Sequence, residues 1–163
     1  MHAYSTAGWE NFFVAEVGAA AALTGLLFVA VSINLTKILA LPQLPGRAGE
    51  SLLILMGALA TATLGLVPGQ PSTTLGVELL AVLAPVWAFP MLLQAHARVP
   101  GAPAHWIWTR VVFHQIATLP MLAAGVSLCV GAGGGLYWLV AGTILSFTAA
   151  VLNAWVLLIE IQR

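Results

Sequence analysis

Two glutamates lie within long apolar stretches of this sequence. Glu16 follows the start of an apolar run at Phe12, and Glu78 follows the start of another at Leu75. A carboxylate inside hydrocarbon is costly and needs a partner, a cavity or water. Because both acids lie near the start of their stretches, we expect them at one depth, where they could share a proton or hold a cation. The alternative is that both side chains extend outwards to the lipid headgroups.

A second set of polar residues is predicted at the opposite side of the same apolar layer. Its members come from the first, fourth and last stretches: Asn34, His114, Gln115, Asn153 and Glu160. Together with Glu16 and Glu78, these are the candidate residues of an ion or proton pathway. On the first stretch about 27 Å separates Glu16 from Asn34, at about 1.5 Å per residue. The face between them is apolar, and it is either a gate or plain core.

Prolines lie beside these candidates in the third stretch. Pro85 and Pro90 have no N–H, so each leaves the carbonyl group four residues earlier without its helical donor, here at Ala81 and Val86. A carboxylate above a free carbonyl group is a plausible stop for a proton or a cation. Prolines are also common in membrane helices, so their presence alone decides nothing.

Composition determines what can position these residues. Of 163 residues, 61% are hydrophobic and only 6% are charged, with a formal net charge of zero. A soluble domain carries about 25% charged residues, and a nucleic-acid binder has a basic excess. Both classes are therefore excluded, as is a disordered chain.

Five stretches approach the roughly 20 residues that cross a bilayer as a helix. They are residues 12–38, 52–67, 75–93, 111–130 and 136–159, separated by segments rich in proline and glycine such as 41–47. The sequence therefore predicts an all-α integral membrane five-helix bundle, with residues 1–163 forming a single transmembrane domain.

The cations indicate an orientation. All lie in the first and third loops or at the C-terminus, which share one side of the layer: Lys37, Arg47, Arg98, Arg110 and Arg163. We expect Arg110 in the third loop. Cytoplasmic loops are rich in lysine and arginine, so we predict that the N-terminus lies outside and the C-terminus in the cytoplasm.

Small residues recur at helical spacing on three of the stretches. They predict close helix packing, either within one chain or between subunits. The first stretch has the longest such face, the second has steps of four, and the last shares its face with polar residues. The members are Ala15, Gly18, Ala22, Gly25, Val29, Ser32 and Thr36; Gly57, Thr61 and Gly65; and Gly142, Ser146, Ala149, Asn153 and Glu160.

Residue types for catalysis are scarce. The chain contains no aspartate, so a Ser-His-Asp set is excluded, and its histidines match no common metal-ligand spacing. Its one cysteine, Cys129, lies in a stretch and is expected to be inert core. We therefore predict no enzyme activity, no cofactor and no structural metal.

Two segments resemble a group of small bacterial multi-span membrane proteins. They are WENFFVAEVGAAAALTGLLFVAVSINL at residues 9–35 and LNAWVLLIEI at residues 152–161. The resemblance implies a multi-pass protein of the bacterial plasma membrane and assigns no activity.

Two hypotheses for function follow. In the first, the chain is a channel or transporter for protons or small cations and works as a homo-oligomer, because five helices leave little room for a water-filled path. In the second, it is a non-catalytic accessory or stabilising subunit that docks on a larger membrane complex through its small-residue faces. In either case its partners are the lipid bilayer and membrane-embedded protein, not nucleic acid.

Overall fold

A computed structural model describes residues 2–41, 44–96 and 104–162, with side chains for all of these except residues 2, 94–96, 104–107 and 160–162. This part of the chain is all helical. A short 3-10 helix, His2–Tyr4, precedes α1 (Glu10–Ile33), α2 (Leu35–Ala40), α3 (Leu44–Gly65), α4 (Ser72–His96), α5 (Ala104–Val130) and α6 (Tyr137–Gln162). All but α2 are long and apolar enough to cross a membrane. The prediction of an all-α fold with five helices long and apolar enough to cross a membrane is confirmed.

The third helix is the centre of the bundle. Helix α3 packs against α1, α4 and α6, while α5 packs against α4 and α6. The outer surface carries large apolar side chains such as Leu26, Phe28 and Trp155, each more than half exposed. Contiguous apolar surface on this scale is typical of a protein that contacts lipid.

Two helices begin earlier than the sequence predicted. Helix α3 begins at Leu44 rather than residue 52, and α5 begins at Ala104 rather than residue 111. The predicted loop at 41–47 was wrong over its second half, because Pro45 lies in the first turn of α3, where a missing N–H breaks no helical bond. Consequently Glu50 lies in α3, and Arg110, expected in a loop, lies in α5.

The first predicted span is interrupted. Asn34 separates α1 from α2, with a φ of −104° and a ψ of 13° that end the first helix. Its side-chain Nδ2 donates to the carbonyl oxygen of Ala30 at 2.9 Å. Asn34 therefore closes the end of α1 instead of lying inside a continuous helix.

The small-residue faces have different surroundings. On α3, Gly57 faces Val86 of α4, and Gly65 faces the ring of Phe13. On α6, Gly142 faces Met121 of α5. These two faces pack inside the chain. The face on α1 does the opposite, because its members from Ala15 to Thr36 are all exposed.

The segments that precede α1 and α6 contact each other at one end of the bundle. The N–H of Leu136 donates to the carbonyl oxygen of Ala3 at 2.8 Å, and the hydroxyl oxygen of Tyr4 accepts from the N–H of Gly134 at 3.0 Å. Gly135 has a φ of +55°, and a Cβ there would collide with the Ala3 carbonyl oxygen. The N-terminal segment is thus bound to the loop between α5 and α6.

Candidate functional site

A buried ionic cluster joins α3 to α5. Arg110 Nε lies 2.6 Å from Oε2 of Glu50, and His114 Nδ1 lies 3.0 Å from Oε1 of the same carboxyl group. Glu50 is only 3% exposed and His114 only 1%. Arg110 and His114 are one helical turn apart on α5, so both side chains reach the same partner on α3.

The second nitrogen of His114 determines where hydrogen lies in this cluster. Its Nε2 is 3.1 Å from the carbonyl oxygen of Trp87 on α4. A carbonyl oxygen can only accept, so we assign a hydrogen to Nε2. Nδ1 then faces Glu50 either as a lone pair, which a carboxylate repels, or as an N–H, which it attracts. Oε1 lies off the straight direction of that N–H, so the attraction is mainly between charges.

The net charge of this cluster depends on whether Nδ1 of His114 carries a hydrogen. Arg110 is a cation and Glu50 is its ion-pair partner, so their charges cancel. With a hydrogen on both ring nitrogens His114 adds one positive charge, and with a lone pair on Nδ1 it adds none.

The surrounding residues hold the histidine in place. The indole Nε1 of Trp87 donates to Oε1 of Gln115 at 2.8 Å, and Thr118 Oγ1 donates to the carbonyl oxygen of His114 at 2.8 Å. Pro90 lies inside α4 and distorts the turn that precedes it. The sequence predicted that this proline frees the carbonyl group of Val86; the carbonyl group that His114 contacts is the next one, Trp87.

Glycine makes room for the arginine. A Cβ on Gly46, in the first turn of α3, would lie 3.0 Å from Nη2 of Arg110. A larger residue at position 46 would require the guanidinium group to shift by a few tenths of an ångström. The early start of α3 thus supplies both the carboxylate and the space for its partner.

Glu16 occupies a second buried position. Its side chain is 7% exposed and forms a hydrogen bond with Thr143 of α6. Among the residues that the structure describes, Glu16 Oε2 has no hydrogen-bond partner, and neither has the fully buried hydroxyl group of Thr61 on α3. The alternative of a side chain extended to the headgroups does not hold for Glu16.

The expected pair of Glu16 and Glu78 is not formed. Glu78 is half-buried on α4 and accepts a hydrogen bond from Nε2 of Gln70. Helix α1 packs on α3 and α6, whereas α4 packs on α3 and α5. The two carboxyl groups therefore lie on different sides of α3 although they were expected at one depth. Each has its own hydrogen-bond partner.

The other candidates have separate positions. His114 and Gln115 lie together beside Trp87, while Asn34 caps α1 and Asn153 is half-buried on α6. The side chain of Glu160 lies outside the described residues. Sequence reasoning missed Glu50, although the spacing of Arg110 and His114 by one turn is a signal for a shared acidic partner.

No cluster of metal ligands is found within the described ranges, where no group of three or more histidine, cysteine or acidic side chains could hold a metal ion. The sites available to chemistry in these ranges are therefore the ionic cluster of Glu50, Arg110 and His114 and the buried carboxyl group of Glu16. Comparisons with protein-family models, curated proteins and solved structures found no match.

Proposed function

We propose that this protein moves protons, or another small cation, across a bacterial plasma membrane as a homo-oligomer. The observation that carries the proposal is the cluster of Glu50, Arg110 and His114, because it buries an imidazole, a group able to bind and release a proton, beside a carboxyl group inside the bundle. Ionisable groups buried at membrane depth are costly to keep and are found on proton and ion pathways. A purely structural role would be served as well by apolar side chains.

A second buried carboxyl group at the other end of the bundle supports the proposal. Phe13 near the start of α1 packs against Gly65 at the end of α3, so the two helices are antiparallel. Glu50 precedes Gly65 by fifteen residues, or about 22 Å at about 1.5 Å per residue. Glu16 and the Glu50 cluster are therefore near opposite ends.

The region between these two positions is lined by apolar side chains. Leu27, Leu55 and Ala150 pack there as one buried apolar cluster. A proton passing from one position to the other would need this layer to admit water or to open, which is how an apolar constriction gates a pathway.

Proteoliposomes test the proposal directly. With a pH gradient imposed, His114→Gln is expected to reduce proton flux to that of protein-free liposomes, because glutamine cannot gain a proton, and Glu16→Gln is expected to do the same. Glu10→Gln, at an exposed position in the first turn of α1, is the matched control and should leave the flux unchanged.

Two further results bear on the same proposal. Flux of wild-type size in both His114→Gln and a Glu16→Gln/Glu78→Gln variant would exclude a proton pathway through these groups. Flux of Na⁺ or K⁺ at equal pH would show instead that a small cation is the transported species. Each variant is first compared with wild type for elution volume and helix content.

The exposed face of α1 supports assembly from several copies. Gly18 and Gly25 lie on it, and a Cβ at either position would meet nothing within 4 Å. Small residues allow helices to approach closely in lipid, where the hydrophobic effect does not drive association. We infer that a second copy of the chain packs against this face.

A leucine pair tests this interface. Gly18→Leu with Gly25→Leu is expected to shift the protein from oligomer to monomer in native mass spectrometry, because the side chains would hold the helices apart. Ala141→Leu, at an exposed position on α6, is the control and should leave the oligomer intact. An oligomer unaffected by the leucine pair would place the interface elsewhere.

The accessory-subunit hypothesis uses the same face with a different partner. It predicts that the protein purified under native conditions carries a second membrane protein in fixed ratio. Isolation as a uniform self-oligomer counts against it. We also propose the orientation with the N-terminus outside, which reporter tags fused to the two termini would test.

A further inference from the structure

Helix register places Thr61 beside Glu16. Phe13 packs against Gly65, and the two helices run antiparallel. Glu16 lies one turn beyond Phe13 along α1, and Thr61 lies one turn before Gly65 along α3, so each shares a helix face with its contacting residue. Both are therefore one turn deeper in the same α1–α3 interface.

A separate contact aligns α6 with α3. Leu55 and Ala150 belong to one buried cluster. Thr61 lies six residues after Leu55, and Thr143 lies seven residues before Ala150, so in antiparallel helices the two threonines reach the same level. Both are buried, with exposures of 0% and 1%. Glu16, Thr61 and Thr143 thus converge from three helices.

The hydrogen-bonding capacity of these groups favours an acid that keeps its proton. Thr143 Oγ1 donates its hydrogen to the carbonyl oxygen of Leu139 at 2.5 Å, so towards Glu16 it can only accept. A carboxylate offers no hydrogen to this oxygen, whereas a carboxylic acid does. The hydroxyl group of Thr61 has no partner of its own, so it can donate to the carbonyl oxygen of the acid.

No described cation faces this position to stabilise a carboxylate. The other acids near it have their own surroundings: Glu10 is exposed and accepts from the N–H of Gly8, and Glu78 accepts from Gln70. On α3 the nearest charged side chain is Glu50, at the far end of the bundle beside Arg110 and His114. Four side-chain oxygens are also too few for a hard metal cation, since Ca²⁺ takes about 6–8 oxygen ligands.

We propose that Glu16, Thr61 and Thr143 form a buried proton-binding site between α1, α3 and α6, in which the carboxyl group of Glu16 carries the proton and donates it to the hydroxyl oxygen of Thr143, while the hydroxyl group of Thr61 is the donor for the other carboxyl oxygen. The role of this site, as the proton site at one end of the pathway, rests on the proposed function. Thr61 and Thr143 are positioning residues in it.

Dicyclohexylcarbodiimide tests for the proton on Glu16. This apolar reagent adds a protonated carboxyl group across a C=N bond: the carboxyl oxygen bonds to carbon, the proton goes to nitrogen, and the adduct rearranges to a stable acylurea. Peptide mass spectrometry of the full protein at pH 7 is expected to find the adduct on Glu16 and not on Glu50, which is ion-paired. Glu16→Gln should lose the adduct.

Two results of this experiment would overturn the proposal. One is an unlabelled Glu16 in a peptide that is detected. The other is protection of Glu16 by added Na⁺, which would assign the site to a metal cation. Labelling reports proton occupancy and the liposome assay reports transport, so the site and the proposed function can fail separately.

A double-mutant cycle tests the threonine. Thr61→Val is expected to lower the denaturation midpoint of the wild type, because the carbonyl oxygen of the acid loses its donor. In a Glu16→Leu background the same change should raise it, because it removes a buried hydroxyl group with no partner. Thr63→Val is the control, since its hydroxyl group is exposed and donates to the carbonyl oxygen of Leu59. Equal shifts of Thr61→Val in both backgrounds would exclude the contact.

Discussion

Replacing Glu50 by alanine is expected to lower the free energy of unfolding by about 3–5 kcal/mol, the usual loss when one partner of a buried ion pair is removed. The change removes the carboxylate that neutralises Arg110 in the apolar bundle and leaves Nδ1 of His114 without its acidic neighbour. Titration with SDS in mild detergent, followed by circular dichroism, would measure the loss.

Two controls separate charge from packing. Glu78→Ala removes an acid that is only half-buried, so a loss of about 1 kcal/mol is expected. Leucine at all three positions Glu50, Arg110 and His114 removes every charge of the cluster and should recover most of the stability. If the triple variant is as unstable as Glu50→Ala, uncompensated charge is not the cause of the loss.

Adding one methyl group at Gly76 is expected to destabilise the protein by about 1–3 kcal/mol through overpacking. Helices α4 and α5 approach most closely there: an added Cβ would lie 2.8 Å from the backbone oxygen of Gly125, 2.9 Å from the backbone nitrogen of Cys129 and 2.7 Å from its Sγ. Backbone atoms cannot rotate away, so the two helices would have to separate.

The matched control is the same substitution at Gly49 of α3, outside the α1 face assigned to a second copy. A Cβ at Gly49 meets nothing within 4 Å, and alanine is favoured over glycine in a helix by about 1 kcal/mol. Thermal unfolding of the two variants should therefore shift in opposite directions. A similar shift for both would mean that the α4–α5 crossing is looser than these distances indicate.

The helices were predictable because hydrophobic length alone identifies a span. The residues at which the helices begin were less predictable, because the sequence alone does not distinguish a proline in the first turn of a helix from a proline in a loop. These helix starts determine which residues form the ionic cluster. Moving the start of α3 to Leu44 brings Glu50 into the bundle, and moving the start of α5 to Ala104 brings Arg110 to the same depth.

Periodicity also showed which residues share a face without showing what covers it. The patterns on α1 and α3 look alike in the sequence, yet Gly65 is covered by Phe13 and Gly18 is exposed. In the same way, equal depth suggested that Glu16 and Glu78 meet. Their helices pack on different sides of α3. The position of a helix around its neighbours is set by tertiary packing and cannot be derived from depth alone.

The hydrogen bond from Leu136 to Ala3 latches the chain into a closed loop at one end, with the first residues fastened to the hairpin before the last helix. Because this contact joins the start of α1 to the start of α6, we expect the two helices to move together at that end. Separation of the helices is then expected at the other end of the bundle, where Asn34 divides α1 from α2 and where the Glu50 cluster lies.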